Sequence, residues 1–235
     1  GHLARTPVLP ATHSTVTRRI DVQLAVDGSA RVHDDIKVAG QPAERWREHY
    51  QSTGEQRERY EKAWNEAYPG ARALRVELPG LGDLEQAVMA RGDVEVPAWG
   101  RPSAEGGGRD LVLRPLARDA DLLRSYARLS TRRFDLILGF PWQNNEQVTL
   151  TLPPGMTVRR LPAARQITSP FGQFDFSVQQ TGQVVTVRAV LRVDRHRVSR
   201  AEYAAFRRFC SDVDSTVTQE LVVRRETAAT QGKAP

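Results

Sequence analysis

From Arg132 to Val193 the chain alternates apolar and polar positions through Phe134-Asp-Leu-Ile-Leu, Val148-Thr-Leu-Thr-Leu, Phe174-Asp-Phe-Ser-Val and Val185-Thr-Val-Arg-Ala-Val. Alternation with period two places every second side chain on one face, the signature of half-buried strands. Pro141-Trp142-Gln143-Asn144-Asn145, Pro153-Pro154-Gly155 and Thr181-Gly182-Gln183 punctuate the runs. They suit turns, because proline presets φ and glycine tolerates positive φ. Strands recurring at about 8–12 residues predict an antiparallel sandwich or barrel.

The same period opens the chain. Ile20, Val22, Leu24 and Val26 share one face, Asp27-Gly28 is a hairpin signal, and Ala30, Val32 and Ile36 to Val38 continue on the partner strand. A helical insertion is expected over 42–68. Trp46, His49 and Tyr50 stand at i, i+3, i+4, and Tyr60, Trp64 and Ala67 nearly repeat the spacing. Gly54 should divide that insertion, and Tyr68-Pro69-Gly70 should end it. Strands are then expected at 73–78, 84–90, 92–99 and 111–113, with a glycine-rich loop at 101–108 and a short amphipathic segment at 118–131. Ser199 and Glu202 form a capping box ahead of a helix over 199–213, which carries Tyr203, Phe206, Phe209, Cys210 and Val213 on one stripe. A last strand follows at 217–223.

These elements predict a mainly β fold with helices, built as antiparallel β-sandwich modules. A helix-containing half comes first, and a β-sandwich with a C-terminal helix follows. The expected organisation is a linker or cut end at 1–14, a β-rich domain at 15–117 with its insertion at 42–68, a second domain at 118–226, and a disordered tail at 227–235.

Composition narrows the picture. The 235 residues suffice for one large or two ordinary domains, and 40% hydrophobic content supports a real core. No apolar run approaches the roughly 18–20 residues that span a bilayer. The opening residues show no charged-then-apolar leader, and Gly1-His2-Leu3 without an initiator Met is what a piece of a longer protein would show. The net charge of +6 is carried almost wholly by arginine, the only lysines being Lys37, Lys62 and Lys233. The arginines are scattered and form no block, so they read as an arginine-biased solvated surface rather than a phosphate-binding stripe. No nucleic-acid partner is expected.

Candidate chemistry is sparse. Cys210 is the only cysteine, which excludes an intramolecular disulfide and any Cys-x-x-Cys site. On the apolar stripe of a helix it reads as a core thiol rather than a nucleophile. His2, His13, His33, His49 and His196 show no metal-ligand spacing. Asp34 and Asp35 are adjacent strand residues, so their carboxylates point to opposite faces. Gly106-Gly107-Gly108 lacks the Lys-Ser/Thr of a phosphate loop. No cofactor and no catalytic or metal-binding residue is expected. Trp99, Phe140 and Trp142 are the candidate contact surface, set against the plainer reading of aromatics plugging the end of a sandwich.

Several of these signals together resemble a known bacterial region. They are Arg132-Arg133-Phe134-Asp135-Leu136 with Gly139, Leu152-Pro153-Pro154-Gly155, Leu161-Pro162, Phe171-Gly172-Gln173-Phe174 and the Tyr203–Phe206–Phe209 helix. Asp27-Gly28-Ser29-Ala30, Gly40, Ala43 and Arg45-Trp46-Arg47 belong to the same set. The chain resembles the β-rich region that follows the transglutaminase-like domain in large bacterial envelope-associated proteins. The resemblance implies a papain-like Cys–His–Asp core N-terminal to this segment, a periplasmic or cell-envelope location, and a partner that is either that upstream domain or another envelope protein. Cys210 comes late and inside a helix, so no catalytic residue carries over. The resemblance implies a noncatalytic accessory module serving structure, substrate presentation or protein contact. The alternative, a module binding carbohydrate or envelope polymer, comes from the residues themselves: tryptophans and tyrosines at sandwich ends can stack on sugar rings, and arginine can pair with acidic polymers. A third reading is a hydrolase built on scattered carboxylates such as Asp34 or Asp35.

Overall fold

The computed structural model describes residues 8–105, 108–117 and 120–226. The first seven residues of the expected linker, His2 among them, Gly106-Gly107 of the glycine-rich loop, residues 118–119 of the expected amphipathic segment and the expected tail at 227–235 lie outside the described residues. Among the described residues there are fourteen strands and four α-helices. β1 (Thr15–Leu24) and β2 (Ala30–Ala39) form the first hairpin, followed by α1 (Gln41–Tyr50) and α2 (Gln56–Ala67). Then come β3 (Arg72–Glu77), β4 (Val88–Val96), β5 (Gly100–Pro102), β6 (Asp110–Leu113), α3 (Leu122–Tyr126) and β7 (Leu136–Ile137). The remainder comprises β8 (Trp142–Thr151), β9 (Met156–Arg160), β10 (Arg165–Ser169), β11 (Gly172–Thr181), β12 (Val184–Val193), β13 (Arg197–Val198), α4 (Tyr203–Val217) and β14 (Leu221–Arg225).

The mainly β class with helices is what the structure shows. One sheet of eight strands dominates, in the order β10-β11-β12-β8-β1-β2-β4-β3. Every neighbouring pair is antiparallel except β1 and β8, which run parallel with Ile20 opposite Val148. This join places strands from both sides of the expected 117/118 boundary in one sheet. Hairpin spacing does not reveal this pairing, because β1 and β8 are remote in sequence. A four-stranded sheet, β5-β6-β14-β9, and the two-stranded ribbon β13-β7 complete the strand content.

Alternation decides which face of the large sheet is buried. Ile20, Val22 and Leu24 on β1, Val32, Ile36 and Val38 on β2, Val148 and Leu150 on β8, and Val185, Val187 and Leu191 on β12 all face one core. The helices pack on that side. Tyr60 and Trp64 of α2 and Phe206, Phe209 and Cys210 of α4 are buried in the same cluster. The opposite face is polar, with Arg19 across from Asp35 and Asp21 across from His33.

Several local expectations hold and several shift. The insertion does divide near Gly54, where a short 3-10 turn separates α1 from α2. Ser199 and Glu202 form the reciprocal capping box, with the Ser199 amide donating to the Glu202 carboxylate at 3.1 Å and the Glu202 amide donating to Ser199 Oγ at 3.3 Å. The strands expected at 84–90 and 92–99 are a single strand, β4. Gly92 passes through it without a break, and Leu84 lies in the preceding turn region, 79% exposed. α4 runs on to Val217, so the last strand starts four residues later than alternation suggests.

Gly92 is in mid-strand for a packing reason. A Cβ there would stand 2.5 Å from the Tyr60 ring. Tyr60 is buried and cannot swing aside, so Gly92→Ala should destabilise the fold by about 1–3 kcal/mol, the usual cost of overpacking. In a Tyr60→Leu background the same substitution should cost markedly less. Urea denaturation of the four proteins of that cycle measures the coupling, and additive effects would contradict the packing account.

Candidate functional site

The face that packs against the helices carries charge in its middle. Across the sheet, Ala189, Glu146, Arg18, Ile36 and Ala90 stand in one row, and Val187, Val148, Ile20, Asp34 and Gly92 in the next. Arg18 and Asp34 are diagonal neighbours on the same face, with side chains 8% and 0% exposed. Arg18 donates through Nε to Oδ1 of Asp34 at 2.8 Å and through a terminal nitrogen to Oδ2 at 2.7 Å. Tyr60 Oη donates to the same Oδ2 at 2.6 Å, entering through the space left by Gly92. The Arg18 guanidinium also lies 5.1 Å from the centre of the Trp64 ring. A buried bidentate pair with a third donor and an aromatic lid satisfies most of what desolvation would otherwise leave exposed.

These contacts hold the protonation states in place. Burial alone would lower the Arg18 pKa, but Asp34, with a smaller contribution from Glu146, raises it above the ordinary arginine value. Burial, then the Asp34 charge, pushes the Tyr60 phenol well above its ordinary range.

Beside this pair the helical cover has a gap. A cleft of about 340 Å³ opens over β1, β2, β8, β12 and the start of β11, with Arg18, Asn144 and Glu146 on its floor. Asn144 occupies a core-facing position yet is exposed, and Glu146 is half-buried, so the gap lies above them. Trp46 of α1, Tyr126 of α3 and Trp142 at the start of β8 supply aromatic walls, with Tyr126 and Trp142 stacked at 6.1 Å. Glu146 accepts the Ala117 amide at 3.0 Å. Asp214 of α4 fixes the wall by accepting the amides of Leu122 and Leu123 at the start of α3, both at 2.9 Å. The indole nitrogen of Trp142 is buried and has no hydrogen-bond partner among the described residues. Aromatic surface with a few convergent amide, carboxylate and guanidinium groups suits the holding of a small polar ligand.

The expected contact residues fall differently. Trp99 is 3% exposed and stacks on Tyr68 at 4.6 Å, and Trp142 is 8% exposed. Phe140 is half-buried. Both indoles belong to the core cluster, and Phe140 packs against it. Trp142 still borders the cleft. Cys210 is buried beside Phe206 and Phe209, and burial, with the Asp214 charge adding to it, pushes its thiol up to about 12. Asp34 and Asp35 diverge as adjacent strand residues must, one to the core and one to the open face, where Arg91 meets Asp35 at 3.1 Å. No group of three or more His, Cys, Asp or Glu side chains able to hold a metal ion occurs among the described residues, and no described helix is long and apolar enough to cross a membrane.

Sequence reasoning missed Arg18, Tyr60 and Glu146. The one available signal was a charged residue interrupting the apolar face of each strand: Arg18 among Val16, Ile20 and Val22, and Asp34 between Val32 and Ile36. It also missed His33, whose Nδ1 lies 2.7 Å from Asp93 on the open face.

Residues 110–223 match the profile of a family described as a domain of unknown function with a solved structure, DUF3858. The matched stretch begins at β6 and ends within β14, so β1 to β5 lie outside it. No curated protein matches the chain. Among solved structures, part of the chain is similar to a candidate protease from Parabacteroides distasonis, at 17% identity and a TM-score of 0.42. The match covers 49% of this chain and 23% of that one, so it spans under a quarter of that protein's length.

Asp34→Asn should leave the Arg18 charge buried without its counter-charge and cost about 3–5 kcal/mol. The double replacement Arg18→Met with Asp34→Leu should be the milder change, and denaturant unfolding of the two variants beside the parent tests the order. His33 behaves oppositely to a paired carboxylate. Its hydrogen bond to Asp93 and the nearby Asp35 charge raise its pKa in the folded state. Its contribution is therefore full below the unfolded value of about 6.5 and is lost as pH rises through the folded value. The imidazole is 48% exposed, so the effect stays under about 1 kcal/mol. Relative to the parent, His33→Gln should be less stable at acid pH and nearly equal at alkaline pH.

Proposed function

We propose that this chain is a noncatalytic accessory domain of a longer cell-envelope protein that also carries a transglutaminase-like, papain-like domain, and that it works by holding a partner or substrate. The observation that supports this most directly is the state of the groups that could react. Cys210 is a buried thiol shifted to about 12, far from the thiolate that nucleophilic catalysis needs. Arg18, Asp34 and Tyr60 are bound to one another. What the cleft offers a ligand is aromatic surface and hydrogen-bonding side chains, which bind without reacting. The resemblance from Arg132 onward supports the company of a transglutaminase-like domain.

A second reading has its own observation. Trp46 and Tyr126 beside Asn144 and Glu146 form the kind of surface on which a sugar ring stacks while its hydroxyls are hydrogen-bonded. The cleft would then take a short stretch of carbohydrate or envelope polymer.

The purified chain should show no turnover of amide or ester substrates that Cys210→Ala removes; Cys210-dependent turnover would end the accessory reading. For the polymer reading, soluble cell-wall oligosaccharides should change tryptophan fluorescence saturably, and Tyr126→Ala should weaken that response by about tenfold. A flat titration across neutral and acidic oligosaccharides would end it.

A further inference from the structure

Exposed apolar side chains are unevenly distributed on this molecule. Nine large ones are exposed among the described residues, and five of them, Val8, Leu9, Leu129, Phe134 and Ile137, gather around residues 194–202 and the first turn of α4. Phe134 is 81% exposed and Ile137 63%. They are held there by specific contacts. Tyr203 Oη donates to the Leu129 carbonyl at 2.8 Å, and Arg132 lies 5.6 Å from the centre of the Tyr203 ring. Asp135 accepts the Arg200 amide at 2.8 Å and the Arg197 Nε at 2.8 Å, and Ile137 pairs with Arg197 across the β7–β13 ribbon. Beside them Val8 and Leu9 wall an open groove of about 550 Å³ whose other side is formed by 194–197, Ser199 and Glu202.

The charge around this patch is one-sided. Arg128, Arg133 and Arg200 are exposed and make no ion pair among the described residues. The nearby carboxylates are already engaged: Asp135 with Arg197, Asp194 with Arg192, and Glu202 with Ser199. Exposed apolar surface rimmed by unpaired cations is complementary to apolar side chains flanked by anions.

We infer that this surface docks an acidic polypeptide segment bearing apolar side chains, which seat on Phe134 and Ile137 while its carboxylates meet Arg128, Arg133 and Arg200. A polypeptide fits better than a flat bilayer because the surface continues into a groove between Val8-Leu9 and residues 194–197, which an extended chain can enter and a planar layer cannot. The inference rests on the accessory-domain reading and deepens it by giving the partner's chemistry.

The test is fluorescence anisotropy of a labelled peptide of mixed Glu, Leu and Phe against the whole chain, with a Lys-for-Glu analogue as control. Saturable binding of the acidic peptide is expected, weakening with added salt. Phe134→Ser with Ile137→Ser, and separately Arg133→Glu, should each weaken it about tenfold or more, as for a central anchor. All three side chains are exposed, so the variants should unfold at the parent temperature, and that measurement guards the comparison. Absence of saturable binding, equal binding of the Lys analogue, variants that bind as the parent does, or binding to phosphatidylserine vesicles in place of the peptide would each overturn the inference. Its failure is separable from that of the accessory reading, which turns on Cys210-dependent turnover and not on peptide binding.

Discussion

The bidentate pair between Arg18 and Asp34 is the constraint around which the rest of the core is arranged. Two charges on the buried face of a sheet are costly unless every neighbour helps to satisfy them. The neighbours here comply, element by element. β1 supplies the cation and β2 the carboxylate, and β4 withholds a side chain at Gly92 so that Tyr60 can come down from α2 to donate the third hydrogen bond. Trp64, one turn later on α2, closes over the guanidinium. The position of α2 over the sheet is thus specified by polar chemistry as much as by apolar area. Glu146 of β8 adds its charge from the next strand, which ties the second half of the chain to the same pair.

The cleft follows from that arrangement. α2 covers Arg18 and Asp34 from one side, and α3 with α4 covers β11 and β12 from the other. Between them, above Asn144 and Glu146, the sheet is left with polar side chains on its core face and a gap over them. An apolar residue at 144 would have called for more cover than α1 and α3 supply. The aromatic walls and the amide floor therefore belong to one design, in which the sheet's least apolar row coincides with the thinnest part of its cover.

Much of this fold was legible in the sequence, and the exceptions have physical causes. Period-two alternation located most strands, and the Ser199–Glu202 box located the start of α4, because both signals depend on neighbours within a few residues. The union of the two halves was not legible, since β1 finds β8 through a register that no local pattern encodes. Trp99 and Trp142 look from composition alone like ligand platforms. Large aromatics have no periodicity of their own, so the sequence leaves a contact surface and a plug side by side, and the stacking on Tyr68 and Tyr126 is visible only in three dimensions. Arg18 and Asp34 interrupt otherwise apolar faces, and that interruption was the one legible trace of the candidate site. Reading it required knowing that the two strands pair in the register that makes the residues diagonal neighbours.

The parallel join between β1 and β8 also bears on how the molecule is made. Residues 15–23 pair with residues 143–151, so the inner edge of β1 has no partner until most of the chain has left the ribosome. The strands β1, β2, β4 and β3 are all made before β8, and until β8 follows, the edge of β1 that carries alternating apolar side chains is open. Such an edge is a template for a second nascent chain as readily as for its own β8. Closure across so long a loop costs entropy before any of the contacts on the far side repay it. The maturation of this domain is thus a late zipping step, and its most vulnerable moment is the interval in which β1 waits.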